Sequence, residues 1–493
     1  MQDVRYPSLS QILSTERWLV TFLISLCLAR MGAIILTPLE FGVDEAQYWL
    51  WGQSLDFGYY SKPPLIGWYL GLMDFLFGSS TIAARITAPI IHLLIALILY
   101  AIASAHHNAQ AGRWAALLWA SLPIVSLGSF VISTDTLLLL PWVIALALFL
   151  RALRQDNTLL FFLSGLVIGI GILAKYAAVY FLLGAVISLL ITHANKPKFA
   201  ITSFATMIIG ALITSAPNLI WNALNRGVTF AHLGENADLN QPLYSIENAL
   251  QFLLSQSAVI GPVSFVILCA IILRLKRLEI AQSAKILLAF SLPVIAIMTV
   301  QAFLKTANAN WTATAWPAMC LLFGYGLAQT SPKKIISSFW GKLALSVNLF
   351  AALIIIAGVA VGHLGPLTPA SDPLRRLRGW EALANDVTAI AKEHNAAIIV
   401  ADRRAEAALL SWHLHDTDFV VKVLDEDNRA GSHFELNHAL SNNDVGPFIV
   451  MTGSDGTLPE TLKDAIGPVG ESLTQISDKR NRHKLFFKIE SLF

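Results

Sequence analysis

Apolar runs of about twenty residues, separated by short polar segments, recur from Trp18 to about His363. An α-helix needs a run of that length to cross the roughly 30 Å hydrocarbon layer of a bilayer. Read by length and apolarity, the pattern predicts about eleven spanning helices, with thirteen as an upper bound. They fall at 18–37, 82–105, 113–131, 136–153, 158–173, 176–193, 199–220, 250–273, 285–303, 311–329 and 343–363. The 158–193 stretch is nearly continuous and makes two spans only by turning at Lys175. Pro63 to Gly78 is apolar but short, as expected of a helix lying in the membrane interface. After Leu367 the pattern changes. Gly379–His394 and Arg404–Leu414 read as helices, and Ala396–Ala401, Phe419–Leu424, Pro447–Thr452 and Lys484–Ile489 as strands. A Pro- and Ser-containing stretch at 368–373 marks the boundary. The expected architecture is a polytopic α-helical membrane domain over 1–366 followed by a small soluble α/β domain over 367–493.

Composition agrees with the pattern. Apolar residues make up 55% of the chain and charged residues 13%, with a mean hydropathy of +0.62, whereas soluble domains carry about 25% charged residues. The net charge of +2 is small and the basic residues are scattered, which argues against nucleic acid as a partner. Cys27, Cys269 and Cys320 all lie in apolar runs without paired spacing, so neither a disulfide framework nor a cysteine metal cluster is expected. The first apolar run exceeds a signal-peptide core and lacks a small-residue cleavage site, so it reads as an uncleaved anchor.

Charge sets the expected orientation. With the N-terminus cytoplasmic and the loops alternating, one side collects Arg5, Arg17, Arg113, Arg151, Arg154, Lys196, Lys198, Arg274, Lys276, Arg277, Lys285, Lys333, Lys334 and Lys342. The other side holds few cations and most of the acids, among them Asp44, Glu45, Asp135, Glu235 and Asp238. An odd number of spans then puts the C-terminal domain on the same, outer face as the Asp44 loop.

That outer face gathers the residues able to do chemistry. Asp44 and Glu45 begin an aromatic segment that closes with Tyr59-Tyr60-Ser61-Lys62-Pro63-Pro64. A partly buried carboxylate beside another acid suits a general base towards a hydroxyl, although an exposed acidic pair also serves as a helix cap. Pro63 stiffens the backbone that presents Lys62, a point charge fit for a phosphate leaving group or for simple snorkelling to the interface. Asp135, in Ser133-Thr134-Asp135-Thr136, is either a helix cap or a second catalytic acid. Lys175 lies deep in apolar sequence, where an ionisable group is costly unless it is paired or functional. Trp221, Asn222, Arg226 and Glu235 form a polar collection able to line a sugar site, and Lys305, Asn310 and Trp311 add another at a helix mouth. Glu45 or Asp135 leaves room for a divalent cation, but no recognisable ligand cluster is present.

These motifs resemble the GT-C class of polyprenyl-phosphate-sugar-dependent glycosyltransferases, family 39. That family includes bacterial relatives of protein O-mannosyltransferases and the aminoarabinose transferases that modify lipid A. The resemblance covers most of the membrane half: Asp44-Glu45, the Tyr59-to-Pro64 motif, Thr134-Asp135-Thr136, Ala174-Lys175, Pro217-Asn218 with Trp221-Asn222, and Asn310-Trp311. It implies interfacial helices in the first outer loop, a soluble outer C-terminal domain, Asp44 as the catalytic aspartate, and Lys62 and Lys175 as contacts to the lipid-linked phosphate. The chain departs from the aminoarabinose branch at Ser61 and Tyr176, and from the mannosyltransferases at Lys62. Its overall pattern is similar to alphaproteobacterial members, some of which transfer galacturonic acid to lipopolysaccharide core or lipid A.

The expectation is therefore an enzyme of the bacterial inner membrane with a periplasmic-face site. It would carry a sugar from a polyprenyl-phosphate donor to a glycolipid or glycan acceptor. Arg226 and Lys305 are further candidates for the phosphate, and Tyr59, Tyr60, Trp221, Asn222, Glu235, Asn310 and Trp311 for the substrates. The competing readings are a transporter or flippase of lipid-linked saccharides, which would spread charge through mid-span cavities, and a protein O-glycosyltransferase.

Overall fold

The computed structural model describes residues 6–237, 244–275, 281–329, 336–364, 372–425, 431–441, 443–458, 462, 465–477 and 480–490. Arg5, Asp238, Lys276, Arg277, Lys333 and Lys334 of the charge pattern, and 368–371 of the expected boundary, lie outside the described residues. The chain divides into two compact units. One comprises Met1–Ile34, Lys62–Leu65 and Arg85–Ile356; the other comprises Ile35–Ser61, Ile66–Ala84 and Ala357–Phe493.

Among the described residues, six helices are individually long and apolar enough to cross a membrane: Arg17–Leu36, Thr81–His106, Thr134–Gln155, Pro197–Leu224, Ala281–Leu304 and Ser338–Val361. Thr158–Ala174 and Tyr176–Thr192 are shorter apolar helices that break at Lys175. Three expected spans are not single rods; the 311–329 segment starts as a 3₁₀ turn, Ala309–Ala315, and continues as the short helix Trp316–Leu327. The 250–273 segment is a pair, Ile246–Ile260 and Pro262–Leu273, bent by 109°. Gly261 at the bend has φ +88°, a conformation that disfavours any residue with a Cβ, and Pro262 starts the next helix without an N–H to leave unpaired. The 113–131 segment likewise splits into Ala109–Ser121 and Pro123–Gly128, again with proline at the restart.

In the first unit, small residues bring two helices into backbone contact. A Cβ on Gly165 would lie 2.0 Å from the Met207 carbonyl oxygen, and one on Gly169 would lie 2.6 Å from that of Ala211. Thr158–Ala174 and Pro197–Leu224 therefore cross at a GxxxG-type face, which serves where lipid supplies no hydrophobic drive between helices. This close crossing fixes the helix whose end carries Lys175.

The second unit is built on a five-stranded sheet in the order β2-β1-β3-β5-β4. β1 (Ile398–Ala401), β2 (Val420–Val423) and β3 (Phe448–Thr452) are parallel, while β5 (Arg480–Ile489) runs antiparallel to β3 and to β4 (Ile466–Ser477). β1 and β3 are buried at every position, as central parallel strands covered on both faces must be. Ile398, Val400, Phe448, Val450, Leu462 and Ile489 form one core cluster of this unit. The interface-type helix expected after Pro63 is present as Leu65–Phe77. It crosses Val43–Gln53 so closely that a Cβ on Gly52 would meet the Gly71 amide nitrogen at 2.6 Å. Glu40 ties this early segment to the late one. Its carboxylate accepts from the amides of Gly379 (2.9 Å), Trp380 (2.7 Å) and Glu381 (3.2 Å), satisfying the N-terminus of the Trp380–Glu393 helix.

Candidate active site

The two adjacent acids of the first outer loop take different tasks. Helix Val43–Gln53 starts at Gly42, and Glu45 turns back so that its Oε2 accepts from the Gly42 amide at 3.0 Å. Glu45 is buried in that capping role, whereas the Asp44 side chain is 63% exposed. Asp44 Oδ1 accepts a 2.8 Å bond from Nη2 of Arg404, and Nη1 of the same guanidinium donates at 2.6 Å to the buried Gln47 Oε1. Asp44 and Gln47 are three positions apart, on one face of the helix, so a single planar fork spans both.

Tyr59 and Tyr60 are both buried. The Tyr59 ring stacks on Trp51 with centroids 4.7 Å apart, and its hydroxyl donates to the Trp51 carbonyl at 2.9 Å. Burial pushes the Tyr59 phenol up to about 12, so it remains a neutral donor. Lys62 lies in the bend immediately before Pro63 and is half-buried.

In the first unit, three separate elements converge. Ser133 caps helix Thr134–Gln155, its hydroxyl accepting from the Thr136 amide at 3.2 Å, and this leaves the Asp135 carboxylate free of capping duty. Lys175 ends helix Thr158–Ala174 in an extended conformation, φ −160° and ψ 134°. Its Nζ donates to Asp135 Oδ1 at 2.8 Å. Asn310, exposed at the start of the 3₁₀ turn Ala309–Ala315, donates to Asp135 Oδ2 at 3.2 Å. The lysine and aspartate side chains are 23% and 18% exposed, enough burial that either charge alone would be costly.

Asn222 is buried, donating to the Tyr176 hydroxyl (3.1 Å) and the Asn218 carbonyl (3.1 Å), while Tyr176 donates to Asn218 Oδ1 at 2.7 Å. Trp221 is half-buried one position earlier, and Arg226 is exposed in the following turn at φ +56°. Glu235 falls in helix Val228–Ala237, its side chain outside the described set. The Lys305 carbonyl accepts from Asn248 at 2.9 Å, and Trp311 packs against Phe252, Met298 and Ala302. Among the described residues no three His, Cys, Asp or Glu side chains gather as a metal site. Asp135 and Glu45 both carry protein donors.

Sequence reasoning missed Arg404 and Gln47. Arg404 lies at the carboxyl end of β1, a position from which parallel sheets commonly present functional groups, but nothing local to it pairs it with Asp44.

Comparison with known proteins places this geometry in context. The profile of the family described as dolichyl-phosphate-mannose-protein mannosyltransferase matches residues 61–221. The chain is 30% identical over 430 residues to the lipid A galacturonosyltransferase RgtD of Rhizobium johnstonii, covering 86% of this chain and 89% of that protein. The fold is similar to ArnT from Cupriavidus metallidurans bound to undecaprenyl phosphate, with a TM-score of 0.67, 14% identity, and coverage of 97% of this chain and 99% of that one. It also resembles the apo oligosaccharyltransferase of Archaeoglobus fulgidus, with a TM-score of 0.51, 13% identity, and coverage of 90% and 70%. Thirty per cent identity along nearly the whole of both chains, on a shared architecture, makes this protein a member of the GT-C membrane glycosyltransferases.

Proposed function

We propose that the enzyme moves one sugar from a polyprenyl-phosphate carrier onto lipid A, lipopolysaccharide core or another envelope glycan, at the outer face of the bacterial inner membrane. The observation that carries this reading is the 30% identity, across 86% of the chain, to a galacturonosyltransferase whose name gives lipid A as its acceptor. A polyprenyl-phosphate carrier is supported by the ArnT fold, described with undecaprenyl phosphate bound. The outer-face assignment rests on the sorting of lysine and arginine among the loops. It puts the Asp44 loop and a soluble domain over 367–493 on one side, with the membrane domain over 1–366.

In this reading the acceptor hydroxyl gives its proton to Asp44 as its oxygen attacks the anomeric carbon. The carbon–oxygen bond to phosphate breaks, and the electron pair leaves with the phosphate. Lys62 and Lys175 neutralise that developing charge, the kind of fixed interaction that contributes most in a water-poor site. An ammonium carries three N–H groups; Asp135 takes one from Lys175, and two remain for phosphate oxygens. Asp135 is then the residue that aims Lys175, and exposed Asn310 is assigned to the donor. Arg226 and Lys305 are reserved for a sugar carboxylate. The buried Tyr59 and the half-buried Trp311 are assigned to the scaffold that holds the site.

The test uses purified full-length protein with radiolabelled undecaprenyl-phosphate galacturonic acid and lipid A, alongside mass spectrometry of envelope glycans from cells with and without the gene. Transfer of label to lipid A, and a one-sugar mass difference, are expected. Label appearing on protein would favour the protein-acceptor reading suggested by the mannosyltransferase profile, and an unconsumed donor would overturn the enzyme reading.

A further inference from the structure

We propose that Arg404 is a positioning residue for catalysis, holding Asp44 in the orientation from which it takes the acceptor proton. The inference rests on Asp44 being the base, as proposed above.

Asp44 stands in the first turn of its helix with a largely exposed side chain, and such a carboxylate samples several rotamers unless something holds it. Arg404 supplies that hold. Its Nη2 engages Oδ1 at 2.8 Å, leaving Oδ2 to receive a proton. An exposed ion pair by itself is weak and loosely defined. This one is fixed at its other end, because Nη1 is bonded at 2.6 Å to Gln47 Oε1, a side-chain oxygen of a residue only 1% exposed. Loss of the guanidinium would leave that oxygen without this donor, so the fork is held by burial as well as by charge.

The backbone that delivers Arg404 is also pinned. Helix Arg404–His413 lies against Val43–Gln53, with Trp412 4.4 Å from Phe41 and 4.9 Å from Trp49, measured between ring centroids. Two turns of helix thus separate an aromatic anchor at one end from the guanidinium at the other. The C-terminal segment, remote in sequence from every membrane span before it, thereby supplies a part of the reacting arrangement. Orientation is a large share of rate in such reactions, and a misplacement of about 1 Å costs on the order of 100-fold.

The experiment compares Arg404→Ala, Arg404→Lys, Gln47→Ala and Asp44→Asn in the full chain, with undecaprenyl-phosphate galacturonic acid as donor and lipid A as acceptor. Arg404→Ala is expected to lower kcat by about 10- to 100-fold with the donor KM changed less than about 2-fold. Arg404→Lys should recover part of that loss, since an ammonium reaches one partner but not both. Gln47→Ala should fall between. In an Asp44→Asn background, Arg404→Ala should cost nothing further. If Asp44→Asn is inactive while Arg404→Ala keeps its kcat, the positioning role is wrong and the base assignment survives. If Asp44→Asn turns over normally, the base assignment itself fails. A rise in donor KM alone would make Arg404 a binding residue and overturn the proposal. Should Arg404→Ala elute as aggregate, the decision passes to Arg404→Lys: unchanged kcat in that folded variant overturns the need for the fork.

Discussion

Asp135 and Lys175 are forty positions apart in sequence, and their side chains meet at 2.8 Å where two helix ends face each other. One helix begins with a serine cap that leaves Asp135 free of capping duty, and the other stops at Lys175, whose backbone is extended. The pair predicts a separation of stability from activity. Asp135→Ala should lower stability by about 2–3 kcal/mol, below the range for breaking a fully buried pair. The neutral double variant Asp135→Asn/Lys175→Gln should regain most of the melting temperature yet stay inactive. Recovery of turnover along with stability would remove Lys175 from the chemistry.

Lys62→Ala should weaken use of the donor more than use of the acceptor, because its ammonium is assigned to the phosphate. Lys62→Arg should rescue poorly, a planar fork being a different shape from a point charge on a proline-restrained backbone. Initial rates against each substrate, at saturating concentration of the other, decide this. An effect confined to the acceptor KM would move Lys62 to the acceptor side.

Gly261→Ala should be among the most damaging single-methyl changes in the chain. The residue has φ +88°, and its new Cβ would fall 1.8 Å from Asn348 Oδ1. Asn348 has no room to yield cheaply, since its amide donates to the Ile260 carbonyl (3.0 Å) and to Ser264 Oγ (3.1 Å). Fluorescence-detected size exclusion should show aggregation or low yield; a monodisperse variant with wild-type melting would contradict the strain argument.

Glu40→Gln keeps the shape of the side chain but removes the charge that meets three amides at a helix start. The expected loss is about 1–2 kcal/mol, the sum expected of a cap and its favourable dipole interaction. Glu40→Ala should cost more. Thermal unfolding of the purified variants measures both, and an unchanged midpoint in Glu40→Ala would show the cap to be dispensable.

His433 makes the same unit acid-sensitive. Burial, and then the neighbouring His438, pushes its pKa down from 6.5 to about 4. The unfolded chain therefore binds a proton more readily than the folded one. Stability is fully present above about pH 6.5 and is lost as pH falls towards 4. Melting temperatures from pH 7.5 to 4.5 should drop more steeply for the wild type than for His433→Asn, and parallel curves would refute it.

Much of the helical framework was legible because a membrane span advertises itself by length and apolarity alone. The bend at Gly261 was less so: the Gly-Pro pair is visible, but the apolar run continues across it without interruption. In the soluble part, β1, β2, β3 and β5 showed as short apolar runs, whereas β4 was missed because Ile466–Ser477 mixes glycine, proline and polar residues at a sheet edge. At the site, single residues such as Asp44, Asp135, Lys175 and Asn310 stood out by type and setting. Their pairings did not. The Asp135–Lys175–Asn310 contact joins three elements, and Arg404–Asp44 bridges 360 positions, so no local pattern encodes either. The division of labour between Asp44 and Glu45 was equally hidden, since it depends on which of two adjacent side chains turns back to the helix start.

The Arg404–Asp44 bond also sets a schedule. At about 5–20 residues per second, the ribosome finishes the Asp44 helix roughly 20 to 70 s before Arg404, 360 positions later, exists to grip it. During that interval Glu40, Gln47 and Trp49 have been made without the late-chain partners that later satisfy or cover them. A newly made protein truncated before residue 379 would thus lack all of these partners and expose this loop's polar and aromatic face.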